Sequence, residues 1–117
     1  MITDLTLIEP GEALVIPKGK VALLFHIPGH CAGCKRVISI LETKKLEDWT
    51  IIKIDSEDEN MSDLIKKYNV SMAPTLIIFE NGEQKETIAG LKAFIEKKDM
   101  FGDWFKSWNR KQHRTRL

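Results

Sequence analysis

The sequence predicts an α/β domain: a central mixed β-sheet flanked by helices. Three observations carry that prediction. Short apolar runs recur at 20–27, 49–55 and 75–79, each of strand length and bounded by turn or polar residues. Between them lie segments whose apolar residues recur at helical spacing. The last run is followed, across a tight turn, by a more polar stretch suited to a sheet edge. With 117 residues, the chain has the length of one domain, 1–117, and buries a core without disulfide staples.

The first 19 residues are the least defined; "LTLI" at 5–8 reads as a strand, and Pro10 fits the first position of a short helix. "KVALLFHI" at 20–27 is apolar almost throughout, as a strand covered on both faces requires. Pro28 and Gly29 end it. From Cys31 onward, Val37, Ile38, Ile40 and Leu41 alternate with Lys35, Arg36, Glu42, Lys44 and Lys45, which makes an amphipathic helix. "WTIIKID" at 49–55 reads as the next strand. "SEDEN" forms a loop, with its acids in solvent, and "MSDLIKKYNV" a helix that turns Leu64, Ile65 and Tyr68 inward. "TLIIF" at 75–79, the turn "ENG" and "EQKETIA" at 83–89 make an antiparallel pair. Beyond Gly90, Phe101, Trp104, Phe105 and Trp108 share one helical face, placing a terminal helix on the sheet.

At 43% hydrophobic and 30% charged residues, the composition is that of a globular protein. No apolar stretch reaches the ~20 residues that cross a bilayer, so no membrane association is expected. Acids occupy the opening "MITDLTLIEPGE" where an export signal carries basic residues, which leads to the expectation of a cytoplasmic protein. The net charge of +1 conceals an asymmetry. Lys106, Arg110, Lys111, Arg114 and Arg116 stand in a stretch without acids, leaving positions 1–105 net acidic. The basic tail, about 109–117, has no aromatic residue after Trp108. It reads as a helix end rather than a nucleic-acid surface.

The chain's two cysteines, Cys31 and Cys34, fall in "HIPGHCAGCKRVISIL" at the junction between a strand and a helix. Free N–H groups and the helix dipole at such a position favour the thiolate of the first cysteine. Cys31 is therefore the expected nucleophile. Cys34, one turn further on, is placed to attack a mixed disulfide between Cys31 and a substrate, closing the Cys31–Cys34 bond. His30, next to Cys31, is an expected electrostatic tuner of it.

With "CAGC" between a buried strand and a helix, and "MAPTLIIFENGE" two elements later, the chain resembles the thioredoxin family over about residues 20–90. The resemblance implies the thioredoxin fold and protein disulfide reduction by dithiol exchange, with no bound cofactor. It implies a cis Ala73–Pro74 bond opposite the cysteines. It also implies a surface of His30, Ala73, Pro74, Gly90 and Leu91 for the extended backbone of a disulfide-containing protein substrate. A flavin-dependent reductase as electron source and a monomeric state follow as expectations.

Where the family typically has tryptophan, Gly-Pro and a helix proline, this chain has His30, Ala32-Gly33 and Ser39. The family's buried acid aligns with Phe25, and the lysine near it with Ile51, which leaves Cys34 without an evident proton acceptor other than water. Alternation points His26 to the opposite face from Phe25, away from Cys34, which makes His26 a poor substitute for the missing acid. Two other functions stay open on the residues alone. One is a non-enzymatic interaction module presenting the basic tail. The other is a bound metal, either zinc on His26, His30, Cys31 and Cys34 or, as the resemblance to the wider superfamily implies, an iron-sulfur cluster shared between two chains.

Overall fold

The computed structural model describes residues 2–5, 12–43 and 49–97. Five strands form one mixed sheet: β1 (Ile2–Asp4), β2 (Lys20–His26), β3 (Trp49–Asp55), β4 (Thr75–Glu80) and β5 (Glu83–Ala89), in the order β1-β3-β2-β4-β5. β3 pairs parallel with both β1 and β2, while β4 runs antiparallel to β2 and to β5. Helix α1 (Ala32–Thr43) links β2 to β3. A 3-10 turn (Glu59–Met61) leads into the short helix α2 (Ser62–Lys67) between β3 and β4, and residues 91–97 are helical after β5.

β2 lies at the centre, and from Val21 to Phe25 its residues are fully buried, as its unbroken apolar run requires. Alternation divides it between two layers. Ala22 and Leu24 pack with Val37 and Leu41 of α1, with Ile51, Leu76 and Ile78 from the neighbouring strands, and with Phe94 of the helix at 91–97. Val21, Leu23 and Phe25 pack with Ile52, Ile54, Ile77, Phe79, Met61 and Leu64 beneath α2. Tyr68 meets Phe79 edge-on at 5.8 Å between ring centroids. The charged segments lie outside these layers: Asp58 caps the 3-10 turn by accepting from the Asn60 N–H at 2.9 Å.

The hairpin between β4 and β5 turns on Asn81 and Gly82, both at positive φ (51° and 84°), the backbone that a two-residue connection between twisted strands demands. Asn81 is also tied to Gly19 at the start of β2: the Gly19 N–H donates to Asn81 Oδ1 and the Asn81 N–H to the Gly19 carbonyl, both at 2.9 Å.

Three expectations change. The first strand is Ile2–Asp4 rather than "LTLI"; only Leu5 of that stretch is described, and its N–H continues the ladder to the Lys53 carbonyl at 2.9 Å. Pairing with β3, which periodicity in three residues does not reveal, sets this strand. α2 is shorter than its apolar pattern, because a tighter turn takes up Met61, itself fully buried. The segment after Gly90 becomes helical at 91–97 and is anchored by fully buried Phe94. The helical face of Phe101, Trp104, Phe105 and Trp108, the short helix at Pro10 and the basic tail lie outside the described residues. Among the described residues, no helix is long and apolar enough to cross a membrane.

Candidate active site

β2 ends at His26, the chain turns through residues 28–30 with Gly29 at φ 82°, and α1 begins at Ala32. Cys31 therefore stands at the residue before the helix, with Cys34 in its first turn. The two form a disulfide, their Cα atoms 5.2 Å apart. The Cys34 N–H donates to Cys31 Sγ at 3.1 Å, and the Lys35 N–H to the Cys31 carbonyl at 3.1 Å. The sulfur of Cys31 thus occupies the place of an N-terminal cap. No acidic residue lies in the first turn of α1, so nothing offsets the positive end of the helix dipole there. Cys31 is partly exposed. Cys34 is 1% exposed, on the buried face with Val37 and Leu41.

The segment before β4 closes over the pair. The Ala73–Pro74 bond is cis, and the Ala73 carbonyl oxygen lies 4.0 Å from Cys31 Sγ. Two hydrogen bonds hold this segment: Thr75 Oγ1 donates to the Met72 carbonyl at 2.8 Å, and the Gly90 N–H to the Pro74 carbonyl at 2.7 Å. Gly90 is at φ 90°, and the Phe94 N–H returns to its carbonyl at 3.1 Å. A Cβ on Gly33 would meet Leu91 Cβ at 3.4 Å and Pro74 Cδ at 3.5 Å. Three separated stretches, 31–34, 73–74 and 90–91, are thereby brought into one cluster. His30 is exposed beside it.

Two residues escaped the sequence reading. Met72 is 50% exposed, and its Sδ would lie 3.0 Å from a Cβ on Gly90, a neighbourhood that no local sequence pattern reveals. Gly33 is the other, since its contact with Pro74 and Leu91 depends on packing across the chain.

The layer beneath the cysteines also differs from expectation. Phe25 belongs to the layer under α2, whereas Ala22 and Leu24 belong to the layer under α1. Alternation therefore sets His26 on the α1 side, the side of Cys34, and reverses the expectation that His26 is remote from it. In register, Leu24 pairs with Lys53 and His26 with Asp55, so Lys53 is the lysine at this end of the sheet. Lys53 Nζ is paired with Asp4 Oδ1 at 3.3 Å. His26 is 7% exposed. Burial, and then the charge of Lys53, lower its pKa from the ordinary 6.5, opposed by Asp55 and Asp4. Among the described residues, no three His, Cys, Asp or Glu side chains converge as a metal site would require.

A helix-capping disulfide beneath a proline loop is the working site of dithiol oxidoreductases, and known proteins agree. The thioredoxin family model, described as "Thioredoxin", matches residues 12–101. Thioredoxin from Rickettsia typhi is 37% identical over 76 residues, covering 63% of this chain and 68% of the relative. Among solved structures, a mutant thioredoxin from Halobacterium salinarum superposes with a TM-score of 0.63 at 28% identity, covering 77% of this chain and 74% of that one. Thioredoxin O2 from Arabidopsis thaliana in its oxidised state gives 0.59 at 28% identity, over 71% and 73%. The chain belongs to the thioredoxin family. Its fold and its CxxC pair support thiol-disulfide exchange with disulfide substrates, ahead of an interaction module or a metal site.

Proposed function

We propose that the chain is a protein disulfide reductase in which Cys31 is the nucleophile and Cys34 the resolving thiol. The observation that carries this is the 3.1 Å hydrogen bond from the Cys34 N–H to Cys31 Sγ, at a helix start free of acids. After reduction, that N–H and the dipole stabilise the Cys31 thiolate. The thiolate attacks one sulfur of a substrate disulfide, the partner sulfur leaves as a thiol, and Cys31 is joined to the substrate. Cys34, shielded from bulk solvent, then attacks Cys31 Sγ and expels the second substrate sulfur. The substrate gains two electrons and the CxxC pair loses two.

His30, Ala73, Pro74, Gly90 and Leu91 supply the surface on which the substrate backbone rests. The Ala73 carbonyl, 4.0 Å from the nucleophilic sulfur, is placed to receive a substrate N–H there. A flavin-dependent reductase recharges the pair, the protein acts as a monomer in the cytoplasm, and residues 1–117 form one domain with a basic tail at 109–117. We expect no bound cofactor to be needed for the exchange.

Single cysteine variants test the roles. Cys31→Ser abolishes reduction of a protein disulfide such as that of insulin, whereas Cys34→Ser accumulates a mixed disulfide visible by mass spectrometry. Trapping by Cys31→Ser in place of Cys34→Ser would reverse the assignment.

A further inference from the structure

The resolving step requires Cys34 to lose a proton in a buried place. Cys34 is 1% exposed, and the layer under α1 is otherwise lined by Ala22, Leu24, Val37, Leu41, Trp49 and Ile51, none of which takes a proton. Among the described residues, the buried polar or charged residues are His26 and Thr75; half-buried Ser56 also has its hydroxyl enclosed, but a hydroxyl is no base for a thiol. Thr75 commits its hydroxyl hydrogen to the Met72 carbonyl, and its alternation in β4 puts it with Ile77 and Phe79 in the other layer. His26 is the one that remains. It closes β2 at the end from which the chain passes into Cys31, and its strand position falls on the α1 side. Its carbonyl accepts from the Ser56 N–H at 2.8 Å, which ties the end of β2 to the end of β3.

We propose that His26 is the proton acceptor for Cys34 in the resolving step, a role that rests on the dithiol-exchange reading above. The Cys34 S–H bond breaks and its proton passes to the imidazole. The Cys34 sulfur bonds to Cys31, the bond between Cys31 and the substrate sulfur breaks, and the departing substrate thiolate takes up a proton. The pair is oxidised by two electrons and the substrate reduced by two, so no further reactant is needed. Burial keeps His26 neutral, and so able to accept, near neutral pH. The charged groups facing it are Lys53 and Asp55 of β3 and Asp4 of β1. Lys53, a cation, has no room for a proton, and both acids favour the imidazolium once it forms.

The test reads both halves of the exchange in one trace. Fully reduced protein is mixed with dithiobis(nitrobenzoate) in a stopped-flow instrument from pH 5.5 to 9. Attack by Cys31 releases one thionitrobenzoate, and resolution by Cys34 releases a second. In His26→Leu and in His26→Gln, the rate of the second phase relative to the first falls roughly a hundredfold near neutral pH, the lower end of what a general base contributes, and recovers as pH rises and the thiol ionises unaided. The ratio is taken within each protein, so a loss of folded material does not imitate the effect. An unchanged ratio in both variants would overturn the proposal. So would a fall in His26→Leu with full retention in His26→Gln, since the amide keeps the polarity and size but accepts no proton. Wild-type protein that released no second equivalent would instead overturn the dithiol-exchange reading.

Discussion

The N–H of Cys34 points at the sulfur of Cys31, 3.1 Å away, so the residue that completes the reaction also prepares the one that begins it. An unperturbed thiol has a pKa near 8.5, and a helix start lowers it into roughly the 3.5–7.5 range. In Cys34→Ser, where Cys31 is the lone thiol, iodoacetamide alkylation should follow a titration with its midpoint below that of an unperturbed thiol. In Cys31→Ser, the buried Cys34 should react more slowly at every pH below that midpoint. Equal titration curves would remove the helix start as the source of nucleophilicity.

Gly33 sits against Leu91 and Pro74 with space for one methyl group: contacts at 3.4 and 3.5 Å are ordinary packing. Gly33→Ala should therefore stabilise the protein by about 0.5–1 kcal/mol, the usual difference between the two residues inside a helix. Gly33→Leu must push α1 away from the Pro74 segment and should cost about 1–3 kcal/mol, with slower reduction of a protein disulfide because the surface around Cys31 moves. Urea denaturation orders the three proteins. A stability for Gly33→Leu equal to wild type would mean that the two segments are not packed in solution.

Much of this architecture is legible in the residues, for physical reasons that differ by element. β3 and β5 begin and end where their patterns do, and β2 stops one residue short of its apolar run, at His26, because β3 is an apolar run ended by Asp55 and β5 is bounded by a hairpin turn and Gly90. The CxxC pair is legible because its chemistry lies within four consecutive residues. β1 is not, since a three-residue strand is made by its partner β3 rather than by its own pattern. Which face of β2 meets α1 is hidden for a similar reason. Alternation separates Phe25 from His26 without saying which of them faces α1, and only the packing of Val37 and Leu41 on Ala22 and Leu24 decides it. Gly33 and Met72 are likewise visible only once 31–34, 72–74 and 90–91 are brought together.

Gly90 is held at φ 90° by its bond to the Pro74 carbonyl, a conformation that side chains resist. Gly90→Ala should cost on the order of 1–3 kcal/mol. Its new methyl would also meet Met72 Sδ at 3.0 Å, but that is the far end of a flexible and half-exposed side chain, which swings aside at little cost. Backbone strain is thus the larger effect, and adding Met72→Ala should leave the loss in place. A double variant restored to the stability of Met72→Ala alone would show that the contact, not the φ angle, was responsible.

His26 also makes the stability of the fold depend on pH, in a direction set by its burial. Burial, followed by the Lys53 charge, lowers its folded pKa below the ordinary 6.5, while Asp55 and Asp4 act against this. The unfolded chain then binds a proton that the folded chain refuses, so stability rises with pH through that window. The contribution is fully present above about 6.5, declines as pH falls towards the lower folded value, and levels off beneath it. Urea denaturation of wild type and His26→Leu between pH 5 and 8 isolates the effect, because the other two histidines, His30 and His113, are common to both proteins. The free-energy difference between the two proteins should shift in favour of the variant on acidification. A difference that stays constant across the range would mean that the imidazole is as solvated in the fold as in the unfolded chain, and would place it outside the layer beneath α1.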